Sequence, residues 1–141
     1  MISSVKAYAR SRLTLLGLTE WSDGFNFQNI PRTLLNNVFH VELRQCNGAG
    51  NNQGAQHIEC PISVRLFMSQ GIDPKTLIDD AIVRADAFIS DMIMAQNRLT
   101  FDTCVKDVKF DALDIEPIDA SNDNGIIIKV DFTVLVIIAT Y

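Results

Sequence analysis

The C-terminal stretch from Gly125 to Tyr141 reads GIIIKVDFTVLVIIATY and decides the fold. Nearly all of its residues are β-branched or aromatic, the types that strands favour. The even positions from Ile126 to Ile138 form one unbroken apolar face, because successive side chains of a strand point to opposite faces of a sheet. The odd positions are polar at first and turn apolar at Leu135 and Ile137. The pattern predicts a strand that is covered on both faces in its second half.

The length of this strand is a second constraint. Fifteen extended residues reach about 50 Å, whereas a compact domain of 141 residues is roughly 37 Å across. A strand of that length usually bends, contains a bulge or continues onto a neighbouring molecule. We expect the third outcome, because an exposed apolar strand is otherwise an aggregation site. The strand therefore predicts self-association through Leu135, Ile137 and Tyr141.

Composition and charge limit the classes of function. A chain of 141 residues is expected to form one domain, residues 1–141, with a core that needs no disulfides. The formal net charge of −5 argues against a protein that grips nucleic acid. Three cysteines without metal-type spacing, and a start without a secretion signal, indicate reduced thiols in a protein made in a cytoplasm. No apolar run has the length of a membrane helix, so no membrane partner is expected.

A first helix is expected near the N-terminus. Ser3 or Ser4 is placed to cap it, and Gly17 is placed to end it. Its cationic face, with Lys6 and Arg10, is either a solvated face or a docking surface for an acidic partner. Its predicted core face consists of Val5, Tyr8, Ala9, Leu13 and Leu16.

A second, longer helix is predicted over Asp73–Asn97. An aspartate followed by proline is a strong helix start. Apolar residues recur at helical spacing along the segment, which is typical of an amphipathic helix that covers a sheet. The predicted buried stripe consists of Leu77, Ala81, Ile82, Ala85, Phe88, Ile89, Met92 and Ile93.

Between the helices, two alternating segments predict a β-hairpin around a Gly/Asn-rich loop, Asn47–Gln56. The first strand runs from Phe39 to Arg44 and the second from Ile58 to Leu66. On the outer face of the hairpin, the predicted register sets a cationic side chain opposite an anionic one. Such a cross-strand pair stabilises an antiparallel ladder. The predicted register sets Phe39 opposite Val64, Val41 opposite Ile62, Leu43 opposite Cys60, Arg44 opposite Glu59 and His57 opposite Cys46.

The segment Val105–Ile118 is predicted to pair with the C-terminal strand. In a regular strand, the apolar residues of its first half and those of its second half would point to opposite faces of the sheet. One extra residue near Ala112 would bring both sets onto the same face. We therefore predict a β-bulge there. The bulge would set Phe110 near Phe132 and Asp114 opposite Lys129. The predicted fold class is α+β, with a mainly antiparallel sheet of about four strands in two hairpins, covered by the long amphipathic helix and the short N-terminal helix.

No motif predicts an enzyme, a cofactor or a metal. The two histidines, His40 and His57, lie on the outer face of the first hairpin, and no further metal ligands converge on them. The glycines of the Asn47–Gln56 loop are not followed by a helix, so they do not form a phosphate-binding loop. Cys104 lacks the basic neighbours that activate a thiolate. The expected catalytic and metal sites are therefore none.

A long segment without periodicity, Leu18–Asn37, holds the only tryptophan. Segments of this length in compact domains tend to be functional or bound by a partner. Their aromatic side chains either fold back onto the core or anchor an interface, where such residues are enriched. The candidate interface residues are Trp21, Phe25, Phe27, Ile30 and Pro31.

The order of these elements resembles that of a known family. The segment Leu18–Asn37, called here the aromatic segment, contains Glu20-Trp21-Ser22-Asp23-Gly24-Phe25 and Asn29-Ile30-Pro31-Arg32-Thr33. The strand that follows it contains Phe39-His40-Val41. With the short first helix, the long second helix and the C-terminal hairpin, the chain is similar over nearly its whole length to the tail terminator (tail-completion) proteins of long-tailed bacteriophages.

The resemblance implies a ring, commonly a hexamer, at the head-proximal end of the virion tail. Such a ring binds the last ring of the tail tube protein, stops tube polymerisation and presents a surface to the head-side connector. The aromatic segment would serve as a docking arm. DNA would pass through the channel without sequence-specific binding, since carboxylates repel phosphates. The candidate channel-lining residues are Asp107, Asp111, Asp114 and Glu116. The alternative is that these four carboxylates form a solvated outer face of the sheet.

Two other classes stay open at this point. Another phage neck component, a head-completion or stopper protein, shares the small size and the ring habit. A small α+β enzyme or ligand-binding dimer would use a pocket under the Asp73–Asn97 helix. A deep pocket lined by His40 or His57 would favour this last class.

Overall fold

The structure is a computed structural model that describes residues 2–21, 37–52, 55–69, 74–97, 104–117 and 125–139. Its two helices and mostly antiparallel sheet confirm the α+β class, with six strands in place of about four. The elements are α1 (Ile2–Leu15), β1 (Thr19–Glu20), β2 (Val38–Leu43), β3 (Asn47–Asn52), β4 (Ala55–Ser69), α2 (Pro74–Asn97), β5 (Val105–Pro117) and β6 (Gly125–Ala139).

The C-terminal strand β6 lies inside the sheet and not at its edge. The strand order is β1-β2-β4-β6-β5, and β3 also pairs with β4. Strand β4 is as long as β6, and the two pair antiparallel from Ala55 opposite Ala139 to Ser69 opposite Gly125. The expectation that β6 continues onto a neighbouring molecule because it is too long for its own domain is therefore wrong. Its backbone is paired within one copy by an equally long strand.

The first hairpin has a different register from the predicted one. Phe39 lies opposite Leu66, Val41 opposite Val64 and Leu43 opposite Ile62, which is a shift of two residues along β4. A shift of two keeps every side chain on its predicted face, because the side-chain period of a strand is two. The alternation was therefore compatible with both registers.

The cause of the shift is β3, which the sequence pattern predicted to be a loop. Asn47–Asn52 forms a strand that pairs with the first residues of β4, from Asn47 opposite Glu59 to Asn52 opposite Ala55. The predicted pair of Arg44 with Glu59 is consequently wrong: the Arg44 amide donates to the Pro61 carbonyl at 2.9 Å. His57 lies opposite Gly50 and not opposite Cys46.

The predicted β-bulge in β5 is confirmed. Phe110 lies opposite Phe132 and Ala112 opposite Asp131, so Asp111 is the extra residue. Beyond the bulge, Asp114 lies opposite Lys129 as expected. The bulge places the apolar residues of both halves of β5 on the face of the sheet that contacts the helices.

Helix α1 ends as predicted but begins earlier. It starts at Ile2, so Ser3 and Ser4 lie within its first turn and do not cap it. At its C-terminus the Leu18 amide donates a hydrogen bond to the Leu13 carbonyl, and the Gly17 amide donates one to the Thr14 carbonyl, both at 3.1 Å. Gly17 has a φ of +86°, the left-handed conformation that this termination requires. The predicted core face is confirmed, with Val5, Ala9 and Leu13 buried and Tyr8 and Leu16 packed against the core.

Helix α2 begins at Pro74 as predicted, and its buried stripe is narrower than expected. Ala81, Ala85, Phe88 and Met92 are buried, whereas Ile82 and Ile93 are 37% and 39% exposed. These two residues lie on the flank of the stripe, and the face that contacts the sheet is filled without them. Leu77 lies among the side chains that are not described.

Both helices cover one face of the sheet, called here the helix face; the opposite face is the outer face. Helix α1 contacts β1 and β2, and α2 contacts β4, β5 and β6. The helices are joined by an ion pair between Arg12 and Asp91 at 2.8 Å. The hydrogen bond that Arg12 donates to this carboxylate raises the pKa of the guanidinium. The core lies between the helices and the even positions of β6, from Ile126 to Val136.

Candidate functional site

A small apolar cluster covers one end of the outer face. Val38 and Phe67 are buried there, and Trp21 and Ile127 pack against them. The Trp21 amide donates to the Phe39 carbonyl at 2.8 Å, which extends the pairing of β1 with β2 by one residue. The Trp21 side chain is therefore part of a packed cluster, half-buried on the side of the sheet that has no helix.

Of the polar groups of Trp21, the carbonyl is close to a ring nitrogen and the indole nitrogen is unpaired in the described part of the chain. Its carbonyl lies 3.0 Å from His40 Nδ1. Its indole Nε1 is buried and has no hydrogen-bond partner among the described residues. The other candidate interface residues of this segment lie outside the described residues; they are Phe25, Phe27, Ile30 and Pro31.

The candidate interface residues of β6 lie on the outer face at the other end of the sheet. Leu135 and Ile137 are both half-buried. Leu135 lies between Glu59 on β4 and Asp107 on β5, and Ile137 lies opposite His57. Tyr141 lies outside the described residues. A role for these residues at an interface stays a prediction, now as a partly apolar patch within the outer face and not as a free strand edge.

The candidate channel-lining residues are brought together on one strand. All four lie on β5 and are exposed. The outer-face positions of β5 are set by the register, with Asp107 opposite Leu135, Asp114 opposite Lys129 and Glu116 opposite Ile127. Asp111 is the bulge residue, and its carboxylate accepts a hydrogen bond from the Thr133 hydroxyl. The bulge therefore holds one acidic side chain against the sheet while the others extend into solvent.

Sequence reasoning missed a polar cluster at the centre of the outer face. Ser63 is fully buried, and its hydroxyl donates to Asp131 at 2.8 Å. The other oxygen of this carboxylate lies 3.9 Å from Lys129 Nζ. The cross-strand position of Ser63 and Asp131 could have revealed the pair, but only with the β4–β6 register in hand. The cluster ties the two longest strands together on the face that has no helix.

The cysteines and histidines were the candidate metal ligands and nucleophiles of the sequence. No set of three or more histidine, cysteine, aspartate or glutamate side chains is placed to hold a metal ion there. Cys60 is buried, and burial together with a hydrogen bond to Cys46 raises the pKa of its thiol to about 12. A thiol with that pKa stays protonated at neutral pH, and the thiolate is the form that acts as a nucleophile.

None of the described helices is both long enough and apolar enough to span a membrane. Comparison with models of protein families gave no match for this chain. A comparison with curated proteins gave none either.

Proposed function

We propose that this chain is a virion structural protein of the tail terminator type, which forms a ring on the end of a phage tail tube. The observation that carries the proposal is the order of the elements. A short helix, a Trp-containing segment, a hairpin, a long helix and a C-terminal hairpin follow one another along the chain, as the resemblance implies. In this role the protein is not an enzyme and needs no cofactor.

The exposed carboxylates of β5 support a channel-lining role. Asp107, Asp114 and Glu116 lie on one face of one strand, which is the arrangement that a repeated ring would turn into a band of negative charge. Such a band repels the phosphates of passing DNA, so the DNA slides without being gripped. The tail tube protein and the head-side connector would bind the two rims of the ring.

A tube-growth assay tests the proposed function. A phage tail tube protein is allowed to polymerise with and without this chain, and tube lengths and ends are recorded by negative-stain electron microscopy. We expect shorter tubes with a ring of extra density at one end. Trp21→Ala is the informative variant, because a docking arm would lose capping while the ring stays intact. Thermal unfolding checks that the loss of packing against Val38 and Phe67 leaves this variant folded.

The same assay separates the proposal from the alternatives. Tubes of unchanged length, with no density at their ends, would contradict a terminator. Binding to DNA-filled heads in place of tubes would indicate a head-completion or stopper protein. Leu15→Lys is the matched control, because Leu15 is 72% exposed on α1, and this variant should cap as well as the unaltered chain.

A further inference from the structure

The two lateral sides of the sheet differ in charge and in apolar exposure. One side is formed by β5 and the flank of α2 that points away from α1, and is called here the α2/β5 side. The other is formed by β2 and the flank of α1 that points away from α2, and is called here the α1/β2 side. The helices fall into this order because α1 contacts β1 and β2 while α2 contacts β5.

The α2/β5 side exposes a strip of large apolar side chains. The part of the strip on α2 consists of three isoleucines at helical spacing. The part on β5 consists of the two apolar residues that flank the bulge and point to the helix face. Each is between 37% and 39% exposed, although all lie beside the core. Several exposed apolar side chains on one side of a molecule mark an interaction site more often than isolated ones do. The strip consists of Ile78, Ile82, Ile93, Phe110 and Leu113.

Acidic side chains border this strip in both layers of the molecule. In the helix layer, Asp79 and Asp86 are exposed and follow the isoleucines by one and four positions. In the sheet layer, Asp111 and Asp114 are exposed on β5. Lys106 and Lys109 are also exposed on β5, but carboxylates outnumber them, so the α2/β5 side is apolar at its centre and carries a net negative charge at its borders.

The α1/β2 side has the complementary character. Leu43, the last residue of β2, lies on the helix face and is 42% exposed, and the exposed Arg44 follows it. In the helix layer, Lys6 and Arg10 project from α1 on the side away from Tyr8 and Arg12, which contact α2. Arg10 pairs with Glu20 at 2.8 Å and still leaves its side chain 44% exposed. An exposed leucine is thus accompanied by cations in both layers, and these three cations outnumber the two carboxylates of this side, Glu20 and Glu42.

The directions of the outer strands allow copies to lie side by side. Strand β5 is the last strand of the described sheet on the α2/β5 side, and on the α1/β2 side the two-residue strand β1 pairs with β2 at Val38 and Phe39. The three pairings from β5 through β6 and β4 to β2 are all antiparallel, so β5 and β2 point in opposite directions. A second copy placed beside the first in the same orientation therefore has its β2 antiparallel to the β5 of the first copy.

We propose that copies of this chain associate head to tail, with the α1/β2 side of one copy against the α2/β5 side of the next. Leu43 of one copy meets the apolar strip of its neighbour, and the cations of α1 and β2 face the carboxylates of α2 and β5. Repetition of one such contact by rotation closes a ring. This inference rests on the self-association that the proposed function requires, and it names the surfaces that perform it.

Variants that disable one side at a time test this arrangement. Leu43→Lys damages only the α1/β2 side, and Leu113→Lys damages only the α2/β5 side. In a head-to-tail ring every contact needs one side of each kind, so each variant alone should be monomeric. Mixed in equal amounts, the two variants retain one intact contact and should form a heterodimer that cannot grow. Native mass spectrometry distinguishes these species by mass.

Charge reversals provide a second, milder pair. Lys6→Glu and Asp86→Lys should each weaken association about tenfold or more, and the mixture should recover higher oligomers because the altered sides are again opposite in charge. Leu15→Lys is the control, since it adds the same charge on neither lateral side. Thermal unfolding checks that each variant is folded.

The outcomes separate this inference from the proposed function. An unaltered chain that caps tubes as a ring, together with Leu43→Lys and Leu113→Lys rings of unchanged mass, would overturn the interface while leaving the function in place. An unaltered chain that never assembles would overturn both. Folded variants that stay monomeric when mixed would also overturn the head-to-tail arrangement.

Discussion

Phe132 shows how single residues connect the layers of this protein. Its ring makes edge contacts with Phe88 on α2, at 5.8 Å between centroids, and with Phe110 on β5, at 6.0 Å. The alternation of β6 predicts that Phe132 is buried, and the bulge predicts its neighbour on β5. The contact with Phe88 needs the position of the helix above the sheet, which no local pattern supplies.

Replacement of Phe132 by alanine tests this packing. Phe132 is 1% exposed, so Phe132→Ala should lower the free energy of unfolding by about 3–5 kcal/mol. The measurement is urea unfolding followed by circular dichroism. Phe110→Ala is the matched control, because the Phe110 side chain is 37% exposed and loses less buried surface. An equal loss for the two variants would contradict the described packing.

Cys60 makes stability depend on pH in the alkaline range. In the folded state, the pKa of the Cys60 thiol is raised to about 12. The pKa of a thiol in an unfolded chain is about 8.5. Its contribution to stability is therefore complete below pH 8.5 and is lost as the pH rises towards 12. We expect the difference in unfolding free energy between the unaltered chain and Cys60→Ala to narrow over that range. A difference that stays constant from pH 8 to pH 11 would contradict the raised pKa.

At the scale of elements, strands with strong side-chain patterns were predictable and those without were not. The bulge in β5 follows from two apolar phases that must both face the helices, and its position was confirmed at Asp111. Strand β3 has the sequence NGAGNN, which lacks the apolar alternation that identifies a strand. It forms because β4 continues past the end of β2 and offers a free edge.

Deletion of Asp111 tests the account of the bulge. Removal of the extra residue leaves Phe110, Ala112 and Leu113 in regular alternation, so both apolar residues keep facing α2. We expect this deletion variant to fold, with a free energy of unfolding within about 1–2 kcal/mol of the unaltered chain. Urea unfolding is again the measurement.

A deletion in a regular strand is the control for this experiment. Loss of Ser63 from β4 moves one half of the strand to the opposite phase, which exposes core residues. That variant should not fold. If the two deletions were equally damaging, the idea that Asp111 is a local insertion would be untenable.

At the scale of the whole molecule, self-association stays a prediction, and the structure changes the argument for it. The length and apolar character of β6 were correctly read, yet an equally long β4 pairs with it inside one copy. The lateral sides could not be predicted, because each combines residues far apart in the chain. The exposed flank of α2 becomes informative only once β5 is known to lie beside it.

The central claim is that copies of this chain close into a ring by one repeated contact. Native mass spectrometry of the unaltered protein at low ionic strength tests it most directly, because the contact proposed here combines an apolar strip with opposite charges. The account predicts one closed oligomer of more than two copies, commonly six in the family that the sequence resembles, which dissociates towards monomers as salt increases. A monomer at every concentration, or a dimer that does not grow, would contradict it.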